Sequence, residues 1–401
     1  MMRLVGFEWR KSFWHLRVLL LLALFTVADI VKIHGVYQEN SYLAMEESWN
    51  KAYWELYPDY SGKITLDKIN SLLATYRPLE EQTADLTATS AFGVEGTLTG
   101  NIWSDRNLLS RYYVRPMEYC YTYRNLAARI FLKANENAEL FTGLENRYEA
   151  AKNRRIATLY GGRLIDEFCY TEGWLYYVYH DFSIMLALLL CLYGVSQIFT
   201  LEKESGMDRL VPTSRNGGRR TVAAKLIAST LFTTGVSLWF SAVDYVSFAV
   251  IFHLGSGAGL PVYAIENFAY ASANITLWQY AGINALSRVL GIWIFSMAVL
   301  LLSVFCKHPL IPLAAGATAF TSIALAGAHW NYSSHIWLAV LNPYSLMVGR
   351  LLYGRTKFVS LLGMPLLSWE AALLSAAMAG MCLVLLIARF GSSSVLKGGR
   401  I

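Results

Sequence analysis

Charge is scarce in this sequence. Asp, Glu, Lys and Arg make up 15% of its 401 residues, against roughly 25% in soluble domains, so the chain as a whole is not an ordinary soluble globule. Enzyme signatures are missing as well. There is no G-x-x-x-x-G-K-[ST] phosphate loop, because Gly62-Lys63 lacks the upstream glycine and is followed by Ile64. Neither H-E-x-x-H nor G-x-S-x-G occurs, and the seven histidines show no metal-ligand spacing. Catalysis and nucleotide binding therefore have no visible address, and no directly bound cofactor or metal is expected. Cysteine is sparse too, with five in all. Cys191, Cys306 and Cys382 fall in apolar runs and read as small core residues. Cys120 and Cys169 lie in a polar segment and could pair if it faces an oxidising compartment, although spacing alone does not fix a bridge. Outside the ends of apolar runs there is no basic stripe interleaved with aromatics. The net charge of +6 thus points to membrane topology and not to a nucleic-acid partner.

What is abundant is apolar side chain, at 55%. The charges are unevenly placed: residues 38–175 hold 19 of the 28 acidic and 15 of the 34 basic residues, the composition of a soluble protein. The remainder breaks into runs long enough to cross a bilayer, about 20 residues at about 1.5 Å each. The expected fold class is an all-α membrane protein with six transmembrane helices, near 17–36, 181–199, 226–254, 286–306, 310–330 and 369–390. An N-terminal interfacial helix precedes the first span, and a mainly helical extracytoplasmic domain separates the first two. The chain so divides into 1–37 (interfacial helix and first span), 38–175 (outer domain), 176–391 (five-span membrane domain) and 392–401 (tail). With ordinary charge content and sufficient length for a core, the outer domain is expected to fold autonomously. A cleavable signal peptide is disfavoured by the 17 residues, with two tryptophans and a glutamate, that lead into the first run.

Lys and Arg beside the spans set the orientation. Arg3, Arg10, Lys11 and Arg17, six basic residues in 201–225, Lys307, and Arg389, Lys397 and Arg400 all fall on one side. A multi-pass cell-membrane protein with both termini cytoplasmic follows; Arg350, Arg355 and Lys357 are discordant. In "MMRLVGFEWRKSFWHLR", Arg3, Arg10 and Arg17 recur every seven residues, with Met2, Val5, Trp9, Phe13 and Leu16 opposite. Such a helix suits the cytoplasmic interface, arginines toward head groups. Inside the runs, Asp29 and Lys32 are three apart on one face and can neutralise each other, and Asp244 lies deep in the third span. They read as a structural ion pair near the outer interface and one aspartate at the domain junction.

The densest basic stretch is "LEKESGMDRLVPTSRNGGRRTVAAK", 201–225. Glu202 and Glu204 could open a short helix whose N-terminal dipole suits carboxylates, while Arg209, Arg215, Arg219 and Arg220 meet lipid phosphate or an acidic partner. An interfacial helix, six spans and an outer domain after the first span together resemble the layout of type-2 ABC transporter permeases. In that family the loop between the second and third spans opens with acidic residues and a glycine; here the matching positions are Glu202, Glu204, Gly206, Leu210, Thr213, Ser214, Arg215 and Lys225. "LNPYSLM" at 341–347 is similar to the family as well. The likeness covers about 1–37 and 176–391 and leaves the outer domain unmatched. It implies that loop 200–225 docks in a groove of a separate cytoplasmic ATPase subunit, which hydrolyses ATP on this chain's behalf. It also implies a dimer of permeases, homo- or heteromeric, whose first and fifth spans line the pathway. Ala315/Ala319 and Ala376/Gly380, small residues four apart, allow close helix packing. The expected function is the export of an amphiphile, peptide or lipid-like substrate, with no catalytic role of its own. The alternative is a membrane-anchored sensor or assembly scaffold with a ligand-binding outer domain.

Overall fold

The structure, a computed structural model, describes residues 1–84, 94–207, 218–330 and 336–397. Helices dominate it, and among the described residues the strands amount to two short antiparallel ribbons. Among the described residues, five helices are long and apolar enough to cross a membrane: Glu172–Glu204, Arg219–Ile251, Leu277–Phe305, Leu310–Gly327 and Ser368–Ser392. This fits an all-α membrane protein. A backbone in lipid must satisfy its own N–H and C=O groups, and helices do so within one segment.

The chain begins with α1 (Met2–Ser12) and, after a short turn, α2 (Leu16–Asn40). Next come α3 (Tyr42–Met45), α4 (Glu47–Tyr60), α5 (Leu66–Ala84) and α6 (Ile102–Leu109). Asn101 caps α6, its side-chain oxygen accepting from the backbone N–H groups of Trp103 and Ser104. A π-helical turn at Ser110–Val114 leads into α7 (Arg115–Gly143), which folds back on α8 (Arg147–Tyr160). The apolar helices follow: α9 (Glu172–Tyr179), α10 (Phe182–Glu204), α11 (Arg219–Ile251), α12 (Leu277–Phe305) and α13 (Leu310–Trp330). Three short helices, α14 (Ile336–Leu341), α15 (Pro343–Met347) and α16 (Arg350–Tyr353), and a hairpin of Phe358–Leu361 with Met364–Leu367 precede α17 (Ser368–Lys397).

α10 is the hub, packing against α2, α11, α12 and α13. Gly194 makes close approach possible. A Cβ there would meet the Phe232 ring at 2.5 Å, and the space it leaves admits the stacked pair Phe13–Phe232, centroids 4.1 Å apart. α12 starts at a capping box, Thr276 with Gln279. The "LNPYSLM" stretch also has a local cause. Asn342 accepts from the Tyr344 backbone N–H at 2.9 Å to start α15, and donates to the Ile323 carbonyl of α13 at 2.8 Å.

Three features go beyond what the sequence specifies. α2, the expected first span, is a helix as anticipated but is not among the five of membrane-crossing character, because its unbroken apolar run stops at Asp29. Residues 38–175 pack partly on themselves and partly on later segments of the chain. Their first half has its own aromatic core around Trp49, Tyr53, Leu72, Tyr113 and Phe168. α7 and α8, by contrast, share one core with the 252–276 loop, α16 and the start of α17: Tyr123, Tyr160 and Ile165 are clustered with Phe252, Val262, Phe268, Tyr353 and Ala372. Polar contacts cross the same boundary. Tyr119 donates to the Tyr263 carbonyl (2.7 Å), Tyr123 to that of Ala269 (3.0 Å), and Arg155 grips Glu370 through both guanidinium nitrogens (2.9 and 2.6 Å). Buried aromatic side chains of α7 and α8, Tyr123 and Tyr160 among them, are covered by loops far along the chain. Third, Cys120 and Cys169 are free thiols; burial, and then the neighbouring Cys169, push the Cys120 thiol up to about 12.

Arg163 holds this shared layer. Its guanidinium is buried, donates to Asn274 (2.7 Å) and the Ala271 carbonyl (2.9 Å), and lies over the rings of Tyr160 and Tyr263. Arg163→Met should cost about 2–3 kcal/mol, as expected for charged hydrogen bonds lost from a buried site. A denaturant titration of the full chain in mixed micelles checks this. An unchanged midpoint would mean that 38–175 is independent of the later loops after all.

Candidate functional site

The basic stretch that stood out in the sequence lies at the end of the bundle away from the shared layer. Glu202 does not open a helix there. It sits in the last turn of α10, where the helix dipole disfavours a carboxylate. Two ammonium groups compensate. Lys225, 1% exposed and in the second turn of α11, donates to Glu202 (2.8 Å), to Glu8 of α1 (3.2 Å) and to the Ile198 carbonyl (2.9 Å). Lys11 of α1 adds a second ion pair to Glu202 at 2.5 Å. The network is therefore a lock joining α1, α10 and α11. Lys203 adds a tie to α12 by donating to the Val304 and Cys306 carbonyls, among the orphan acceptors of that helix end.

Other positions of the stretch are split. Glu204 is exposed and pairs with His308 at 3.5 Å, a solvent-screened contact. Gly206 takes a φ of +68° just past the end of α10, the left-handed conformation that suits glycine after a helix. Arg219 and Arg220 begin α11 and are exposed. Arg209, Leu210, Thr213, Ser214 and Arg215 lie outside the described residues.

The N-terminal helix is present but shorter than the seven-residue period implied. α1 ends at Ser12, so Arg3 and Arg10 share it, both exposed, while Arg17 belongs to α2. Of the expected inner arc, Val5, Trp9 and Phe13 pack against the bundle, Trp9 meeting Phe232 edge-on at 6.3 Å. Met2 and Leu16 are exposed instead. What sequence reasoning missed is Glu8, buried on the inner face to meet Lys225.

The intramembrane charges form a second cluster at the other end of α10. Asp29 and Lys32 do not neutralise each other: Lys32 is exposed, and Asp29, with no exposure, accepts from His180 Nε2 at 2.9 Å. His180 occupies the break between α9 and α10, where the apolar run of 172–204 is interrupted. Asp244 of α11, 2% exposed, accepts from Arg288 of α12 (2.6 Å) and from Ser183 of α10 (2.6 Å) through the same oxygen, Oδ2. Its other oxygen lies 3.7 Å from His180 Nε2. Beside the cluster, Asp181 takes a two-pronged ion pair from Arg350. This accounts for one of the discordant basic residues: Arg350 is spent on the half-buried carboxylate of Asp181. At Lys357, another of them, burial and the adjacent Arg355 hold the ammonium below its usual range.

His180 and Arg288 were not singled out in the sequence. The signal was present in register: Ser183 and Glu202 are nineteen residues apart, as are Lys225 and Asp244, so antiparallel α10 and α11 meet at both ends. No known protein family and no curated protein matches the chain.

Lys225→Met should destabilise the fold by about 3–5 kcal/mol, because Glu8 and Glu202 would stay buried without their shared ammonium. Replacing all three by apolar side chains of similar size should recover most of the loss. Thermal unfolding of the purified variants reads both. A single variant that melts like the wild type would show that the lock carries no load.

Proposed function

We propose that the chain is the permease subunit of an ATP-driven ABC exporter, working with a separate cytoplasmic ATPase subunit and a second permease, and moving an amphiphile, peptide or lipid-like substrate. One observation carries the reading: the lock of Glu8, Lys11, Glu202 and Lys225 joins α1 to the two helices that the 205–218 stretch connects. A partner pressing on that stretch would move α1, α10 and α11 as one body, which is what a subunit without its own nucleotide site requires. The buried Glu202 is then an internal strut, and Glu204 and Met207 are among the exposed described positions that could meet a partner.

On this reading α2 is a sixth crossing, since its Asp29 charge is turned inward to His180 and away from lipid. Both termini are then cytoplasmic and the layer built on 38–175 is outside. The second permease would cover α13, whose apolar stretch is the least buried of the five, with Ala315 and Ala319 exposed for close approach. A second reading, a membrane-anchored sensor, is favoured by a cavity of about 340 Å³ in the outer layer, lined by Tyr112, Tyr119, Tyr170, Tyr176, Arg111 and Glu172. Co-purification of an ATPase with the full chain separates the two.

Topology is tested with cysteines introduced on a background free of native ones. Asp59→Cys should react with an impermeant maleimide in intact cells, and Met207→Cys only after permeabilisation. The reverse pattern would invert the protein and remove the loop from any cytoplasmic partner.

For coupling, Glu204→Lys combined with Met207→Ala should lower stimulated ATPase activity of the reconstituted complex tenfold or more, with the melting temperature unchanged. Losing one side of a desolvated interfacial charge pair costs about 2–5 kcal/mol, and 1.4 kcal/mol is a decade of affinity. Full stimulation by this variant would place the ATPase contact elsewhere and remove the main support for the permease assignment.

A further inference from the structure

The cluster at the broken helix is incompletely satisfied. Among the described residues, Asp29 gives Oδ1 to His180 and leaves Oδ2 with no hydrogen-bond donor, and Asp244 gives Oδ2 to Ser183 and Arg288 and leaves Oδ1 with none. Both carboxylates are almost fully buried. Orphaned buried carboxylate oxygens are costly, and native structures retain them where something else binds. The ligand atoms of Asp29, His180 and Asp244 lie within 4.8 Å of one another. Charge points the same way: two carboxylates face one guanidinium, Arg288, so with a neutral imidazole the cluster carries an excess negative charge in an apolar bundle.

We propose that Asp29, His180 and Asp244 bind a divalent transition-metal cation of the zinc class. This goes beyond the permease reading and stands independently of it. The donor set decides the class. Calcium and magnesium take all-oxygen shells, whereas an imidazole nitrogen with carboxylates suits zinc and its neighbours. Three protein ligands leave a fourth position open. The surroundings already resemble those of a ligating carboxylate: Ser183 and Arg288 both hold Asp244 Oδ2, which orients Oδ1 toward the site. Binding requires Nε2 of His180 to give up its hydrogen, so the neutral ring carries its proton on Nδ1. The three ligands come from α2, from the break between α9 and α10, and from α11, so the cation would cross-link those segments beneath the outer layer. Irregular backbone at membrane depth is tolerated where it lines such a site.

The test uses the full chain, purified tag-free in detergent from zinc-supplemented cells. Elemental analysis should find about one zinc per chain, and cobalt(II) added to the stripped protein should give the visible absorption of a low-coordinate site. His180→Gln and Asp29→Asn should abolish both signals while the protein still melts cooperatively. Ser183→Ala, which removes only a support of Asp244, should weaken cobalt binding about 10–100-fold. His308→Ala, at the opposite end of α10, should change nothing. Neither zinc nor a cobalt signal in well-folded wild type would overturn the proposal and leave the cluster as a network sharing a proton. Signals unchanged in His180→Gln would overturn it too, by placing the metal elsewhere. No ATPase is needed for these readings, so their outcome is separate from that of the coupling experiment.

Discussion

The structure depends on one constraint: a charge inside an apolar helix bundle must be neutralised by the protein itself. Taking an ion out of water costs several kcal/mol even after relaxation, and a single partner removed leaves most of that cost uncompensated. Lys225 illustrates the solution. Its ammonium is buried yet meets two carboxylates and a carbonyl, each from a different turn of structure. Such a contact set has little tolerance for sliding. A shift of α10 along α11 by one residue, about 1.5 Å, would break several of these bonds at once.

Because the same two helices are pinned again at their other ends, the constraint becomes a register. Ser183 meets Asp244 and Glu202 meets Lys225, nineteen residues apart on each helix, or about 28 Å of helix. That is close to the roughly 30 Å of a bilayer's hydrocarbon core. The polar clusters thus lie where two interfaces would be, and the length between them carries no Asp, Glu, Lys or Arg on either helix. Gly194 falls near the middle, where the Phe13–Phe232 stack fills the space a side chain would occupy. Ion pairs fix the ends and aromatic packing fixes the centre.

Much of the architecture was legible because hydrophobic length is a local signal. The helices of 172–204, 219–251, 277–305, 310–327 and 368–392 correspond to five of the six expected runs, and the helical character of 38–175 followed from its periodicity. Partner choice was not legible, because it is set by contacts across long separations. Asp29 and Lys32 are adjacent on a helix, so local reasoning paired them; His180, 151 positions away, holds Asp29 instead. Glu202 looked like the start of a helix because acidic residues favour that end, yet it lies at the finish of one, and its compensation comes from α1 and α11. The contacts of 38–175 with later loops were hidden for a related reason: composition reports that a segment is soluble-like, not which distant segments it packs against.

The break at His180–Asp181 brings these strands of argument together. An unbroken helix from Glu172 to Glu204 would let the outer layer and the far loop move only as a rigid rod. Interrupting it costs backbone hydrogen bonds, and side chains hold both residues of the break: His180 by Asp29, Asp181 by Arg350. The holders come from segments before and after the break in sequence, α2 and α16. The joint is therefore flanked by α10 on one side, running uninterrupted to the Glu202 lock, and on the other by α9, whose Trp174 is buried against the Leu254 carbonyl of the outer layer. The Glu202 end is thus connected to the shared layer by at least two routes, through this joint and along the unbroken α11, whose Phe248 is packed in the shared core. On the first route, the contacts with Asp29 and Arg350 hold the chain where the helix is interrupted.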